Sequence, residues 1–251
     1  MSQAKLNQAK YLYCIIRHKG RKSFGNMGIR NNSEVHTIHY GDISAVVSDS
    51  PFEECAPNAE NVLAHEKVVQ RVMQEYTVLP SRFSTIVRDE QGVKLTLMRL
   101  YPEFTRELAK LEGKVELGVK ALWDPKAAIK EVENTSPEIV RLRKEISSAT
   151  PGVAPLLSKK LEQLVRNELN RRADETSTKI YNILKRKAEH SKVNSPVGHM
   201  ILNAAFLVRR SHIEKFTQDV IAQRKQYEVR GVELVLTGPW PPYNFVNINY
   251  S

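Results

Sequence analysis

Residues Lys114 to Asp124 read "KVELGVKALWD". Val115, Leu117, Val119, Ala121 and Trp123 take every second position, with Glu116, Gly118 and Lys120 between them. Side chains alternate across a strand, so this spacing predicts a β-strand with one buried face. Gly113, just before it, marks a boundary. The strand therefore opens a second domain. The expected division is 1–112, then 113–238, then a Pro/aromatic tail, 239–251.

Upstream, "YLYCIIR" (Tyr11–Arg17) is rich in aromatic and β-branched residues and predicts a strand. The glycines, asparagines and charges of "HKGRKSFGNMGIRNNSE" predict a loop. Val35–Tyr40 and Ile43–Ser48 form a hairpin about Gly41-Asp42. A helix follows from Asn58, its N-cap, to Tyr76. Its apolar stripe is Val62, Leu63, His65, Glu66, Val69, Val72 and Met73. "TVLPSRFSTIV" is extended, and helices follow at Gln91–Leu100 and Pro102–Leu111. The order β, β, β, α, β, α, α fits a ferredoxin-like α+β domain.

Downstream, helices are expected at Pro125–Glu133 and Pro137–Ser148, and a long one at about Pro155–His190. At 1.5 Å per residue the last would reach roughly 50 Å if unbroken, so it either overhangs its domain or is bent or broken. Met200–Val208 and Val232–Gly238 read as strands around a helix at His212–Tyr227. Ser211 and Glu214 give that helix an S-x-x-E capping box. The second domain is thus a modified ferredoxin-like unit with one helical region enlarged, and the whole is an α+β protein of two such domains.

The 251 residues suffice for a core without disulfides, and the two cysteines, Cys14 and Cys55, form no C-x-x-C pair. No apolar run is long enough to cross a membrane, and the polar N-terminus does not read as a signal peptide. A reducing, cytoplasmic setting is expected. The net charge of +10 suits nucleic acid, anionic lipid or an acidic protein.

No chemistry-bearing pattern emerges. His36 and His39 point to opposite faces of a strand, and no H-E-x-x-H follows His65. Neither a Walker loop, G-x-G-x-x-G nor G-x-S-x-G occurs. The reading is of a non-enzyme without metal or cofactor. An RNA-binding module is the alternative, because Tyr11 and Tyr13 could stack bases from one face of a strand. The companion aromatic strand of such modules is missing.

"LTGPWPPYNFV" (Leu236–Val246) packs three prolines and three aromatic residues close to the end of the chain. It resembles the closing signature of the gas vesicle GvpL/GvpF family. "HEKVV" (His65–Val69), "VLPSRFSTI" (Val78–Ile86), "KVELGVKALWD" and "NAAFLVRR" resemble further family segments in the same order. Length and overall pattern lie nearer the GvpF branch. Ser84 stands where the family usually has glycine, so no positive φ is expected there. Pro155 replaces a common aromatic.

The resemblance implies an accessory protein or minor shell component of gas vesicles, shell-associated and non-catalytic. It implies binding to the small hydrophobic main wall protein, GvpA, and to other gas vesicle accessory proteins. No small-molecule substrate, membrane insertion or nucleic acid is implied.

Gly238 is expected to end the last strand, with Pro239, Pro241 and Pro242 blocking the sheet ladder beyond it. Trp240, Pro241, Pro242, Tyr243 and Phe245, with Arg82 and Phe83, are the candidate residues for partner binding or for packing in an interdomain seam. The seam is the favoured role for the aromatic residues.

Overall fold

The computed structural model describes residues 8–30 and 32–248. It is a mixed α/β protein with two antiparallel sheets. The chain divides into two compact units. One holds the described residues up to Glu116 together with Pro239 onward, and the other is Leu117–Gly238.

The first unit is built on β1 (Lys10–Arg17), β2 (Ser23–Asn26), β3 (Glu34–Tyr40), β4 (Ile43–Asp49), β5 (Val78–Pro80) and β6 (Ile86–Val87). The sheet runs β2-β3-β4-β1-β5, and β6 also pairs with β1. Seven consecutive residues of β1, Lys10 to Ile16, are buried, which explains why its sequence is an apolar run and not an alternation. Lys10 is held there by Asp49 on the neighbouring strand. Helices α1 (Ala59–Met73), α2 (Glu90–Arg99) and α3 (Tyr101–Leu111) complete the unit. Asn58 caps α1 as expected, accepting from Asn61 N–H at 2.8 Å.

Two expectations here change. The glycine-rich loop contains β2, a short edge strand with a register shift between Ser23 and Gly25. Its polar, bulged sequence hides it from a pattern search. The buried face of α1 is His65, Val68, Val69, Val72 and Met73, while Val62 and Leu63 are exposed. His65, Val69, Val72 and Met73 of the expected stripe are thus buried, Val68 joins them, and the stripe does not extend to Val62 and Leu63.

The sheet of the second unit is ordered β10-β7-β9-β8, from β7 (Lys114–Trp123), β8 (His190–Val193), β9 (Met200–Arg209) and β10 (Val232–Trp240), with the start of β7 up to Glu116 and the end of β10 from Pro239 belonging to the first unit. Leu117, Val119 and Ala121 from β7 meet Leu202, Ala204, Phe206 and Val208 from β9 in one core. The period-two alternation of the opening stretch therefore does face a buried layer. Helices α4 (Pro125–Thr135), α5 (Pro137–Ser147), α6 (Ala154–Lys185) and α7 (Ile213–Glu228) surround it. Only Ile180 and Leu184 of α6 are fully buried, with Leu169 and Ala173 packed at the margin.

Three further corrections arise. The long helix ends at Lys185, and His190–Val193 form the edge strand β8. Ser211 does not cap α7: it sits in a 3-10 turn, Arg210–His212, and His212 is the N-cap with no side-chain bond. A residue inside a helical turn lacks the extended backbone that aims a cap at the following amides. Finally, β10 continues past Gly238 (φ +107) to Trp240. Because β10 is an edge strand, Pro239 can lack an N–H without breaking a ladder.

Candidate functional site

Three stretches singled out by the sequence meet in the first unit: His65–Val69 on α1, Val78–Ile86 across β5 and β6, and the C-terminal segment after β10. At their centre lies Tyr11 of β1, fully buried. Its hydroxyl oxygen accepts from Ser84 N–H at 2.9 Å and lies 3.0 Å from His65 Nδ1. The Tyr11 hydroxyl and His65 Nδ1 share one hydrogen bond, its direction set by the imidazole tautomer. His65 is 3% exposed and its Nε2 has no partner among the described residues. Burial pulls its pKa down to about 4, so it is neutral near pH 7.

Aromatic rings surround the imidazole. Phe83 stands edge-on to His65 at 5.9 Å and to Tyr11 at 6.4 Å, Tyr13 lies at 5.7 Å, and Tyr243 at 6.3 Å. Tyr13 accepts from Ile29 N–H and pairs with Ser48 Oγ. Burial raises the pKa of both Tyr11 and Tyr13. Neither ring is accessible, so the base-stacking face considered for an RNA-binding module is not available.

Ser84 overturns an expectation. Its φ is +63, in the left-handed region that glycine occupies without penalty. The serine tolerates it because both its amide and its hydroxyl are used: N–H on Tyr11, and Oγ accepting from Cys55 N–H at 2.8 Å. The position keeps the backbone conformation of a glycine and adds a tie to the loop before α1.

The C-terminal segment is anchored in this unit at two points. Asn244 donates from its backbone N at 2.9 Å and from Nδ2 at 2.6 Å to the two oxygens of Glu116. Glu116 lies on the opposite face of β7 from the apolar alternation, yet is 6% exposed. The Tyr243 hydroxyl is buried facing the Glu66 carboxyl, without a hydrogen bond of normal geometry. Burial, then the Glu66 charge, pushes the Tyr243 pKa well up, and burial raises Glu66 as well.

The candidate residues separate accordingly. Pro241 and Pro242 are buried, Tyr243 and Phe245 half-buried, and Trp240 is 36% exposed. Phe83 joins the ring cluster, whereas the Arg82 side chain is exposed and outside it. Sequence reasoning missed Tyr11, Ser84, Glu116 and Asn244 as members. Glu116 carried a readable signal: an acid between apolar positions of an interior strand. Among the described residues no group of histidines, cysteines and carboxylates could hold a metal, and no helix is long and apolar enough to cross a membrane.

Known proteins share the sequence pattern and the fold. A family model described as gas vesicle synthesis protein GvpL/GvpF matches residues 9–247. Gas vesicle protein L of Streptomyces sp. (strain CB03234) is 29% identical, with 96% of this chain and 94% of that protein covered. Gas vesicle protein F of the same strain is 28% identical over 84% of this chain and 87% of its own length. The crystal structure of GvpF from Anabaena sp. PCC7120 superposes with a TM-score of 0.84 at 23% identity, covering 96% of this chain and 99% of that one. GvpF from Microcystis aeruginosa gives 0.76 at 22% identity over the same shares.

Proposed function

Because the chain belongs to the gas vesicle synthesis protein GvpL/GvpF family and so has a role in gas vesicle formation, we propose that it binds the hydrophobic main wall protein, GvpA, and works non-catalytically, as an assembly factor or minor shell component. A subunit that builds a gas-tight wall must be strongly apolar on one side, and that side aggregates unless covered before assembly. A charged, two-unit protein with open sheet edges meets that need.

The observation that carries the reading to a surface is the outer strand β8. Among the described residues it pairs only with β9, and Val193 and Val197, at its end and just after it, are 53% and 69% exposed. Edge strands of this kind accept a further strand through main-chain bonds, with side-chain contacts adding selectivity. Trp240 and the exposed Arg82 are secondary candidates for partner contact. Pro241, Pro242 and Tyr243 are taken up inside the first unit and serve it structurally.

The test is co-expression of the tagged protein with the wall protein and its gene cluster, followed by flotation and washing. Retention of the tag in the buoyant fraction at a low, fixed ratio to wall protein supports a shell-associated component. Capture of wall protein by the soluble chain alone supports a delivery factor. Loss of capture in a Val193→Glu, Val197→Glu variant that melts normally supports the edge strand. Absence of the tag from vesicles, together with no capture of wall protein, overturns the proposal.

A further inference from the structure

The β8–β9 hairpin borders a pocket of roughly 330 Å3 that is formed entirely by residues of the second unit. Its apolar lining comes from Trp123 at the end of β7, Ala128 and Ile129 of α4, Leu169 and Ala173 of α6, and Ile201 of β9. Trp123 and Ala128 belong to the buried core, and Leu169, Ala173 and Ile201 pack against it. The Trp123 indole N–H already donates to Arg230 O at 3.3 Å, so the one polar atom of the ring is used. Ile129, at the mouth, is 40% exposed.

The remaining wall is the loop that leaves β8. Pro196, Gly198 and His199 line the pocket, and the exposed Val197 stands among them. The edge of β8 therefore leads through Val193 and Val197 to the pocket rim. Three hydrogen bonds hold the loop: Asn194 N–H to Asn203 O at 2.7 Å, Asn203 Nδ2 to Ser195 O at 3.2 Å, and Trp123 N–H to His199 O at 3.0 Å. The pocket is thus formed before any partner arrives, which removes an ordering cost from binding.

Polar side chains are confined to the rim. Asn170, Asp174 and His199 are exposed, and among the described residues the lining holds no buried, unpaired polar side-chain atom. Nothing inside the pocket would orient a small polar ligand. A side chain carried on an added strand needs no such group, because the main-chain bonds to β8 orient it. The rim also sets a charge. In a chain of net charge +10 the lining contains no lysine or arginine and one carboxylate, Asp174. Among the described residues Asp174 enters no ion pair, whereas Arg171, one turn before it on α6, is taken by Glu168 and Glu175.

We infer that, given the reading of β8 as the edge that takes up the wall protein, on which this rests, the pocket receives one large aliphatic or aromatic side chain of the added segment, with a lysine or arginine of that segment at Asp174. Alternate side chains of an extended segment share a face, so anchor and cation stand two positions apart. Main-chain pairing at β8 accepts almost any sequence; the pocket and Asp174 select which stretch of the wall protein docks.

The test is capture of co-expressed wall protein by the tagged full chain. Asn170→Trp fills the pocket from the exposed face of α6, and Asp174→Lys reverses the rim charge. Each should lower the captured wall protein by about tenfold or more. Gln226→Trp and Glu162→Lys make the same changes at exposed positions elsewhere and should stay within about twofold of the parent. If Asn170→Trp does not melt like the parent, Ile129→Glu takes its place. With p-benzoylphenylalanine in place of Asn170, the photo-crosslink should map to a large apolar residue two positions from a lysine or arginine. Parent-like capture by Asn170→Trp and Asp174→Lys, with capture lost in Val193→Glu, Val197→Glu, overturns the pocket and leaves the edge strand standing. A crosslink to a polar stretch also overturns the pocket. No capture by the parent chain overturns both.

Discussion

Glu116 and Asn244 stand 128 positions apart and are joined twice through one carboxylate, by the backbone N–H and the side-chain amide of the asparagine. The carboxylate is nearly inaccessible. A buried charge needs its hydrogen-bond donors, and here some of them arrive from the last residues of the chain. The C-terminal segment is therefore part of the first unit, not a free tail.

Removing either end of this clamp gives unequal costs. Asn244→Ala deletes one of the two bonds and keeps the backbone donor, so it should cost about 1 kcal/mol. Glu116→Ala strands both donors and should cost about 2–3 kcal/mol. Denaturant unfolding gives the energies. Hydrogen exchange should show faster exchange of the Asn244 amide in Glu116→Ala. Equal costs, or an unchanged exchange rate at Asn244, would show that the clamp does not hold the segment.

Ser84 permits a cleaner separation of backbone strain from bonding. Ser84→Gly relieves a left-handed residue, worth about 1 kcal/mol, and loses the bond from Cys55 N–H, worth about the same. The two should nearly cancel. Ser84→Ala keeps the strain and loses the bond, so it should be the less stable of the pair by about 1 kcal/mol. Thermal melts of both decide it, and an alanine variant as stable as the glycine variant would refute the assignment.

The strands and helices of both units were legible because each repeats its period over several turns or pleats. The alternation at 115–123 and the hairpin about Gly41 needed nothing beyond the sequence. Strands β2 and β8 were not legible. Each is a four-residue, polar edge element whose pairing depends on a neighbour already in place. The cap of α7 failed for a related reason: Ser211 and Glu214 have the right spacing, but the chain enters through a 3-10 turn. The site was half legible. Family segments pointed to His65, Phe83 and Tyr243, whereas Tyr11 read as one strand residue among several. Ser84 was read the wrong way, because a hydroxyl can offset a glycine-like backbone and sequence alone does not show its partner.

Tyr243 tests whether its hydroxyl or its ring matters. The hydroxyl is buried beside Glu66 without a normal hydrogen bond, so Tyr243→Phe should be neutral or stabilising by up to about 1 kcal/mol. Tyr243→Ala removes the ring from His65 and should cost about 3 kcal/mol. A clearly destabilised phenylalanine variant, measured by denaturant unfolding, would mean that the hydroxyl is bonded in solution.

Acid should weaken the first unit through His65. An ordinary histidine titrates near 6.5, and burial among Tyr11, Tyr13, Phe83 and Tyr243 brings His65 down to about 4. Between those values the unfolded chain binds a proton that the folded chain refuses. Stability is then fully present above about 6.5 and is lost as pH falls towards 4, by an amount of order 3 kcal/mol. Glu66 acts in the opposite sense. Its raised pKa lets the folded chain keep a proton that the unfolded chain releases, so its contribution falls as pH rises above the ordinary carboxylate value. The two oppose each other over the same window, and the larger histidine shift should win. His65→Phe removes one and leaves the other. The variant will be less stable overall, because the Tyr11 hydroxyl loses its imidazole partner. Its slope is the readout: melting temperature should rise with pH between 4.5 and 6.5 in the parent chain and rise less steeply in His65→Phe, where His36, its pKa also lowered by burial, still acts. An unchanged slope would assign the acid sensitivity to other groups.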